Sequence, residues 1–358
     1  MNRLKSFPIH SKRFIPGLVS GALLALAFSF PNTAYAAVRP VREIRQIPDS
    51  PDTGEEKQAE SSPLSADLPK NPQADAPAQV REHALSQNSK LLPYLWHSAE
   101  GKLPDFKVYI YEPMNHNGRS VCIDAGHGEN SHPTVTQKGE KVYPVADSLL
   151  AEMNTSKIGE NAYDYGVEAR SFQNIYSNNE TEPEYSLKLA LILKDRLLAK
   201  GYRVVLTRND FSQNLSNGAR SVLAGETSDL MVSIHTNAGG TSGASGTLSF
   251  YPGDRDYLGG GIHPGYTKIM GLEAHAADSE KLAGLVCENL AKEAGFLNKG
   301  AHSAILRIFS YSSIPTCLVE VGFSDEINDA KLLTEKKSET AEGIIKGIEA
   351  YYQYKNAN

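Results

Sequence analysis

From residue 120 onward, short runs of continuously apolar residues alternate with longer amphipathic stretches, and this rhythm constrains the fold more than any other feature. The apolar runs are 120–125, 202–207, 229–235, 247–251 and 316–321. Each is too short for a core helix and is apolar at successive positions, the pattern of a strand buried on both faces. Between them, Leu187, Ala190, Leu191, Leu197 and Leu198 repeat at helical spacing and stop at Gly201. Residues 279–294 place Leu282, Leu285, Val286 and Leu290 on one face and end at Gly295. Residues 338–353 turn Ile344, Ile345, Ile348 and Tyr352 inward. Buried strands separated by amphipathic helices predict an α/β fold, a mostly parallel twisted sheet with helices on both faces, in a single domain. A further strand is expected over 107–112. Two stretches break the rhythm and are read as long loops. Residues 129–180 hold one short helical signal, Val145 to Met153, and residues 252–278 are glycine-rich with little periodicity.

The segments ahead of this domain differ in kind. Residues 1–36 have a basic start (Arg3, Lys5, Lys12, Arg13), an apolar run from Gly17 to Phe30, and Ala34-Tyr-Ala36. That is the order of a cleaved export signal, and it predicts a periplasmic, cell-wall or extracellular protein with no stable membrane insertion once the signal is removed. Residues 37–90 are rich in Pro, Ser, Asp, Glu and Gln, which predicts a flexible polar linker. Residues 91–117 are expected to pack on the domain as an extension. The formal net charge of −6 becomes more acidic when the leader's four cations are removed, which argues against nucleic acid as a partner. Cys122, Cys287 and Cys317 are odd in number and widely spaced, so buried thiols are expected rather than a disulfide framework.

Ligands gather at the carboxyl ends of parallel strands. One apolar run here leads into Gly126-His127-Gly128, another into His235-Thr-Asn237, and a third carries Glu320. Two imidazoles with a carboxylate would suit zinc with one coordination position open. A structural role is the alternative for either histidine taken alone. Thr181-Glu-Pro-Glu184 opens the first leucine-striped helix. Thr181 and Glu184 have capping-box spacing, which commits Glu184 to the backbone. Glu182 is then left to face the strand ends or simply to complement the helix dipole. His132, His263, His275 and His302 fall in or near loops and are read as ordinary surface histidines.

Taken in order, Asp124-Ala-Gly-His-Gly128, Glu182, Gly201-Tyr-Arg-Val-Val-Leu-Thr-Arg208, Ser233-Ile-His-Thr-Asn-Ala238 and Leu318-Val-Glu-Val-Gly-Phe323 resemble the zinc-dependent N-acetylmuramoyl-L-alanine amidases. The resemblance covers about residues 118–352 and makes residues 118–355 the catalytic domain, with 129–180 as an insertion that could form a lid or regulatory segment. It implies one Zn2+ ion held by His127, Glu182 and His235, ahead of Glu180 or Glu184 as third ligand. It also implies Glu320 as the catalytic acid/base, Arg307 and Asn237 as substrate-contacting or supporting residues, and Asp124 orienting His127. Arg208 and Arg220 are expected to tie loops to the sheet. The implied activity is hydrolysis of the muramic acid–L-alanine amide of peptidoglycan, with peptidoglycan as partner and room for a protein activator. The competing readings are a zinc peptidase of soluble peptides and a non-catalytic wall-binding protein.

Overall fold

The computed structural model describes residues 79–84, 107–128, 140–141, 163–164, 174–177, 180–210, 215, 217–239, 243–258 and 261–357. All belong to one unit, Leu68–Asn358. The export signal over 1–36, most of the linker, the helical signal at 145–153 and His132 lie outside the described residues.

Eight strands form the central sheet. They are β1 (Gln79–Ala84), β2 (Lys107–Glu112), β3 (Ser120–Ala125), β4 (Arg203–Leu206), β5 (Leu230–Asn237), β6 (Thr247–Pro252), β7 (Asn298–Ala304) and β8 (Thr316–Phe323). Their order is β1-β2-β4-β3-β5-β8-β6-β7. The four central strands β4, β3, β5 and β8 are mutually parallel, so their carboxyl ends share one edge. β2 runs antiparallel to β4 and β1 antiparallel to β2, while β6 is antiparallel to β8 and β7 parallel to β6. The expected parallel core is present, flanked on both sides by antiparallel joins.

β1 falls inside the stretch read as linker. Residues 79–84 pair along their whole length with β2, which is backbone hydrogen bonding that composition does not reveal. β2 itself lies within the expected extension and is a full member of the sheet. Inside the 129–180 stretch, Glu140–Lys141 pairs with Tyr163–Asp164 as a small antiparallel ribbon.

Among the described residues, five helices of two turns or more accompany the sheet, besides the single turn Tyr266–Ile269. On one face lie α1 (Glu182–Ala199), α3 (Glu273–Ala294) and α5 (Lys337–Ala357), sharing a core with Val121, Ile123, Val232, Ile234 and Val319. On the other face α2 (Asn217–Thr227) and the 3-10 turn Arg307–Phe309 pack on Cys122, Val205, Met231, Phe250 and Leu318. α4 (Ile327–Glu335) follows β8. No helix among the described residues is long and apolar enough to cross a membrane. The three cysteines are free and buried, as expected.

Two helices differ from their sequence readings. The buried face of α1 is Tyr185, Ser186, Leu189, Ala190, Leu193 and Leu197, whereas Leu187, Leu191 and Leu198 are only half-buried. Residues 185–193 are apolar almost throughout, so periodicity alone does not fix which stripe turns inward. Each fully buried leucine contributes about 1.5–3 kcal/mol, so the packed sheet makes that choice. α3 begins at Glu273, within the stretch read as loop, because Gly271 and Leu272 hide its start.

α1 leads directly into β4, so it runs antiparallel to the central strands and its amino terminus lies at their carboxyl edge. The turn out of the helix is made by Gly201, whose φ of 84° is left-handed and whose Cβ, if present, would lie 2.4 Å from the Asn115 carbonyl.

Candidate metal centre

β3 delivers the first candidate ligand. After Ala125 the chain leaves the sheet through Gly126 and reaches His127, which is buried and has a φ of 59°, the one left-handed non-glycine among the described residues. That conformation costs a histidine on the order of 1 kcal/mol, so the surroundings must impose it. They do so through hydrogen bonds to its neighbours. Gly126 donates its N–H to the Ile234 carbonyl (3.0 Å), and Arg220 Nη2 donates to the His127 carbonyl (2.6 Å).

His235 comes from β5, next to β3 in the sheet. A Cβ on Gly126 would lie 2.6 Å from both Cε1 and Nε2 of the His235 ring and 2.6 Å from the Ile234 carbonyl. Only a glycine lets the two histidines approach, their ring centroids 4.8 Å apart and nearly perpendicular. Gly126→Ala is therefore expected to displace the His235 ring and to press on the Ile234 backbone as well, with a fall in metal affinity of about 10-fold or more, the scale seen when groups supporting a ligand are lost. Zinc titration against a chelator reads it; unchanged affinity would contradict the packing argument.

Glu182 is the third group, the first residue of α1. Its Oε1 lies 3.1 Å from His127 Nε2 and 2.9 Å from His235 Nδ1, and it accepts the Thr236 N–H at 3.2 Å. Burial opposes its charge, but hydrogen bonds from both histidines and their charge more than compensate and bring its pKa down to about 2. Glu184 is committed elsewhere: its Oε2 accepts from the Thr181 N–H (2.8 Å) and hydroxyl (3.0 Å), the capping box expected from the spacing. Glu180 pairs with Lys188 and Lys337.

Among the described residues, His127, Glu182 and His235 form the one group of three or more such side chains able to hold a metal, their ligand atoms all within 4.8 Å of one another. Donors around tetrahedral zinc at 2.0–2.1 Å stand about 3.3 Å apart, close to the two separations of Glu182 from the histidines, 3.1 and 2.9 Å. Two imidazoles and a carboxylate, His127 and Glu182 buried and His235 half-buried, fit zinc in kind.

Glu320 lies on β8 directly beside His235 in the parallel register, so the two side chains project from the same face of adjacent strands. Asn237 ends β5 and accepts the Ala238 N–H on its own side chain (2.8 Å). Arg307 is exposed on the 3-10 turn that packs against α2. His302 stacks on Tyr257 (3.9 Å), and His275 is buried in the first turn of α3.

Asp124 is 1 % exposed and holds three groups: the hydroxyls of Thr207 and Ser233, and Arg220 Nη1 at 2.8 Å. Its link to His127 runs through Arg220, which carries the carboxylate on one nitrogen and the His127 carbonyl on another. Burial would raise the Asp124 pKa, but the Arg220 charge, the two hydroxyls and His235 hold it below the ordinary value of 3.8. A carboxylate depressed in the folded state stabilises the fold above its unfolded pKa. That contribution is lost as pH falls below about 3.8 toward the depressed value. Asp124→Asn should cost about 3 kcal/mol at neutral pH, since it leaves a buried guanidinium without its counter-charge. Denaturant melts should show the gap between wild type and variant closing below pH 3.8; a gap independent of pH would contradict the pairing.

Arg208 and Arg220, each 1 % exposed, tie the loop down as expected. Arg208 Nε donates to the Ala125 carbonyl (2.9 Å), and its Nη2 to Gly126 (2.9 Å) and Pro183 (2.6 Å). Arg220 also reaches Ala125 and Leu215, both at 2.9 Å. Burial and the charge of Arg220 press the Arg208 pKa down to about 9, still charged at neutral pH. Sequence reading did not find the steric role of Gly126 or the Thr236 N–H bond to Glu182. The glycine directly before a motif histidine was the available signal for the first; the second is backbone geometry and has none.

Residues 121–350 match the profile of a family described as N-acetylmuramoyl-L-alanine amidase, Amidase_3. The N-acetylmuramoyl-L-alanine amidase LytC of Bacillus subtilis is 29% identical over 179 residues, covering 49% of this chain and 32% of LytC. The N-acetylmuramoyl-L-alanine amidase AmiC of Neisseria meningitidis is 30% identical over 201 residues, covering 48% of this chain and 47% of AmiC. The chain thus spans about a third and about half of the length of these relatives. Among solved structures, the catalytic domain of CwlV, an N-acetylmuramoyl-L-alanine amidase from Bacillus (Paenibacillus) polymyxa, is 20% identical with a TM-score of 0.45, covering 66% of this chain and 98% of that one.

Proposed function

The chain belongs to the N-acetylmuramoyl-L-alanine amidase family, and on that premise we propose that it hydrolyses the amide bond between N-acetylmuramic acid and the stem-peptide L-alanine of peptidoglycan, using one zinc ion held by His127, Glu182 and His235. The observation that carries this is the convergence of two imidazoles and a buried carboxylate from three separate elements onto one point. Bound zinc would lower the pKa of a water toward about 7 and polarise the scissile carbonyl.

The protein's own groups do the rest. Glu320 stands level with His235 and outside the ligand trio, where its carboxylate accepts a proton from the attacking water and delivers it to the departing L-alanine nitrogen. Glu182, kept ionised by its surroundings, contributes a negative charge that offsets that of a dication. Its place in the first turn of α1 adds the helix dipole to the forces favouring that ionised state. Asn237, at the end of β5, and Arg307, exposed on the 3-10 turn, are the groups assigned to substrate. Asp124 supports the loop through Arg220.

With that substrate, the site of action is the cell wall, reached by export through the segment over 1–36. Intact peptidoglycan tested beside soluble peptides of the same stem sequence separates this reading from a general peptidase. Release of stem peptides from the polymer, with soluble peptides left uncut, is the expected result. Cleavage of the soluble peptides at peptide bonds would refute it.

A further inference from the structure

Two arginines buried beside a cation site oppose binding. Each guanidinium disfavours the other's charge, Asp124 pairs with one of them, and a bound dication would repel both. Apolar side chains would fill the same space without that penalty. What an arginine supplies here and an apolar group cannot is a rigid, planar set of donors for backbone carbonyls.

Arg208 spends its donors in an unusual way. Its Nε and Nη2 edge bonds the carbonyls of Ala125 and Gly126, just before His127, and the carbonyl of Pro183, just after Glu182. Nη1 has no hydrogen-bond partner among the described residues, so the side chain's bonding is concentrated on that one edge. The two segments it joins are far apart in sequence, with residues 129–180 between them. Arg220 bonds the segment from Asp124 to His127 and the Leu215 carbonyl, and makes no such bridge to α1 among the described residues.

We propose that Arg208 is a positioning residue that fixes the separation of His127 and Glu182 before the metal arrives. The inference rests on the metal-binding reading of the trio and adds the part that sets its spacing. A lysine, with one nitrogen on a flexible stem, cannot hold three carbonyls on two segments at the fixed spacing of a guanidinium. Without the bridge, the first turn of α1 can shift against the loop, and the left-handed His127 can relax toward ordinary backbone geometry.

The test compares full-length wild type with Arg208→Lys by zinc competition against a chromogenic chelator, with apo-protein melts in EDTA alongside. A folded Arg208→Lys protein should bind zinc about 10- to 100-fold more weakly, the range for groups that support metal ligands. Equal affinity in the folded variant, with only the apo melt lowered, would overturn the proposal and leave Arg208 a stability residue. Hydrogen exchange on the wild type gives an answer that needs no variant. Amides of residues 126–128 and 184–186 should gain no more protection on adding zinc than the rest of the sheet gains, because the segments are already held. Strong new protection confined to both segments on adding zinc would overturn the proposal. A wild type that binds no stoichiometric zinc refutes the metal reading itself and the proposal with it, an outcome distinct from equal binding by both proteins.

Discussion

Glu320→Gln is expected to lower amide hydrolysis by about 10²- to 10⁴-fold while leaving zinc content unchanged. The carboxamide has nearly the same shape, so the packing of β8 between β5 and β6 should survive. It cannot accept a proton at neutral pH, and that is the function assigned to this position. Glu320 is outside the trio of candidate ligands, so metal retention is expected, and its register beside His235 puts the two on the same face of the sheet. Turnover of peptidoglycan, measured together with metal content, checks both halves. Retained activity would remove Glu320 from the mechanism, and lost zinc would place it among the ligands.

His235→Ala should have the larger effect on the protein as a whole. It removes one donor and also one of the two imidazoles that hold Glu182 ionised. Activity should fall below detection and metal content to near zero. The melting behaviour is equally diagnostic. A ligand at 1,000 times its Kd stabilises the folded state by about 4 kcal/mol, so wild type should melt higher with zinc than in EDTA. The variant should melt at the same temperature in both. A variant that still gains stability from zinc would show that the metal is held elsewhere.

Much of this site is legible in the chain itself because parallel strands leave strong marks. The apolar runs before His127 and around Glu320 and His235 place those groups at one edge with little ambiguity, and the observed strands match the runs to within a residue or two. Glu182 was readable chiefly through the family resemblance: the capping box accounts for Glu184, but helix chemistry alone left Glu182 free to serve the helix dipole instead. The missed elements are weakly marked. β7 is an edge strand of Asn-Lys-Gly-Ala-His-Ser-Ala whose register shifts between Asn298 and Ala301, and it carries no apolar run. α2 contains Gly218 and Gly225, poor helix formers that packing against Ile308 and Phe309 overrides. The bracing of the loop was legible only in outline. An arginine after an apolar strand gives no sign that its donors bridge Gly126 and Pro183, because those contacts depend on how α1 docks.

The central claim is that this trio supports cleavage of one particular amide. Purified sacculi incubated with zinc-loaded wild type, and separately with Glu320→Gln, followed by mass spectrometry of the soluble products, test it most directly. The account predicts free stem peptides beginning with L-alanine, released by wild type and nearly absent with the variant. Release of disaccharide-peptides, or of peptides cut at their cross-links, would contradict it.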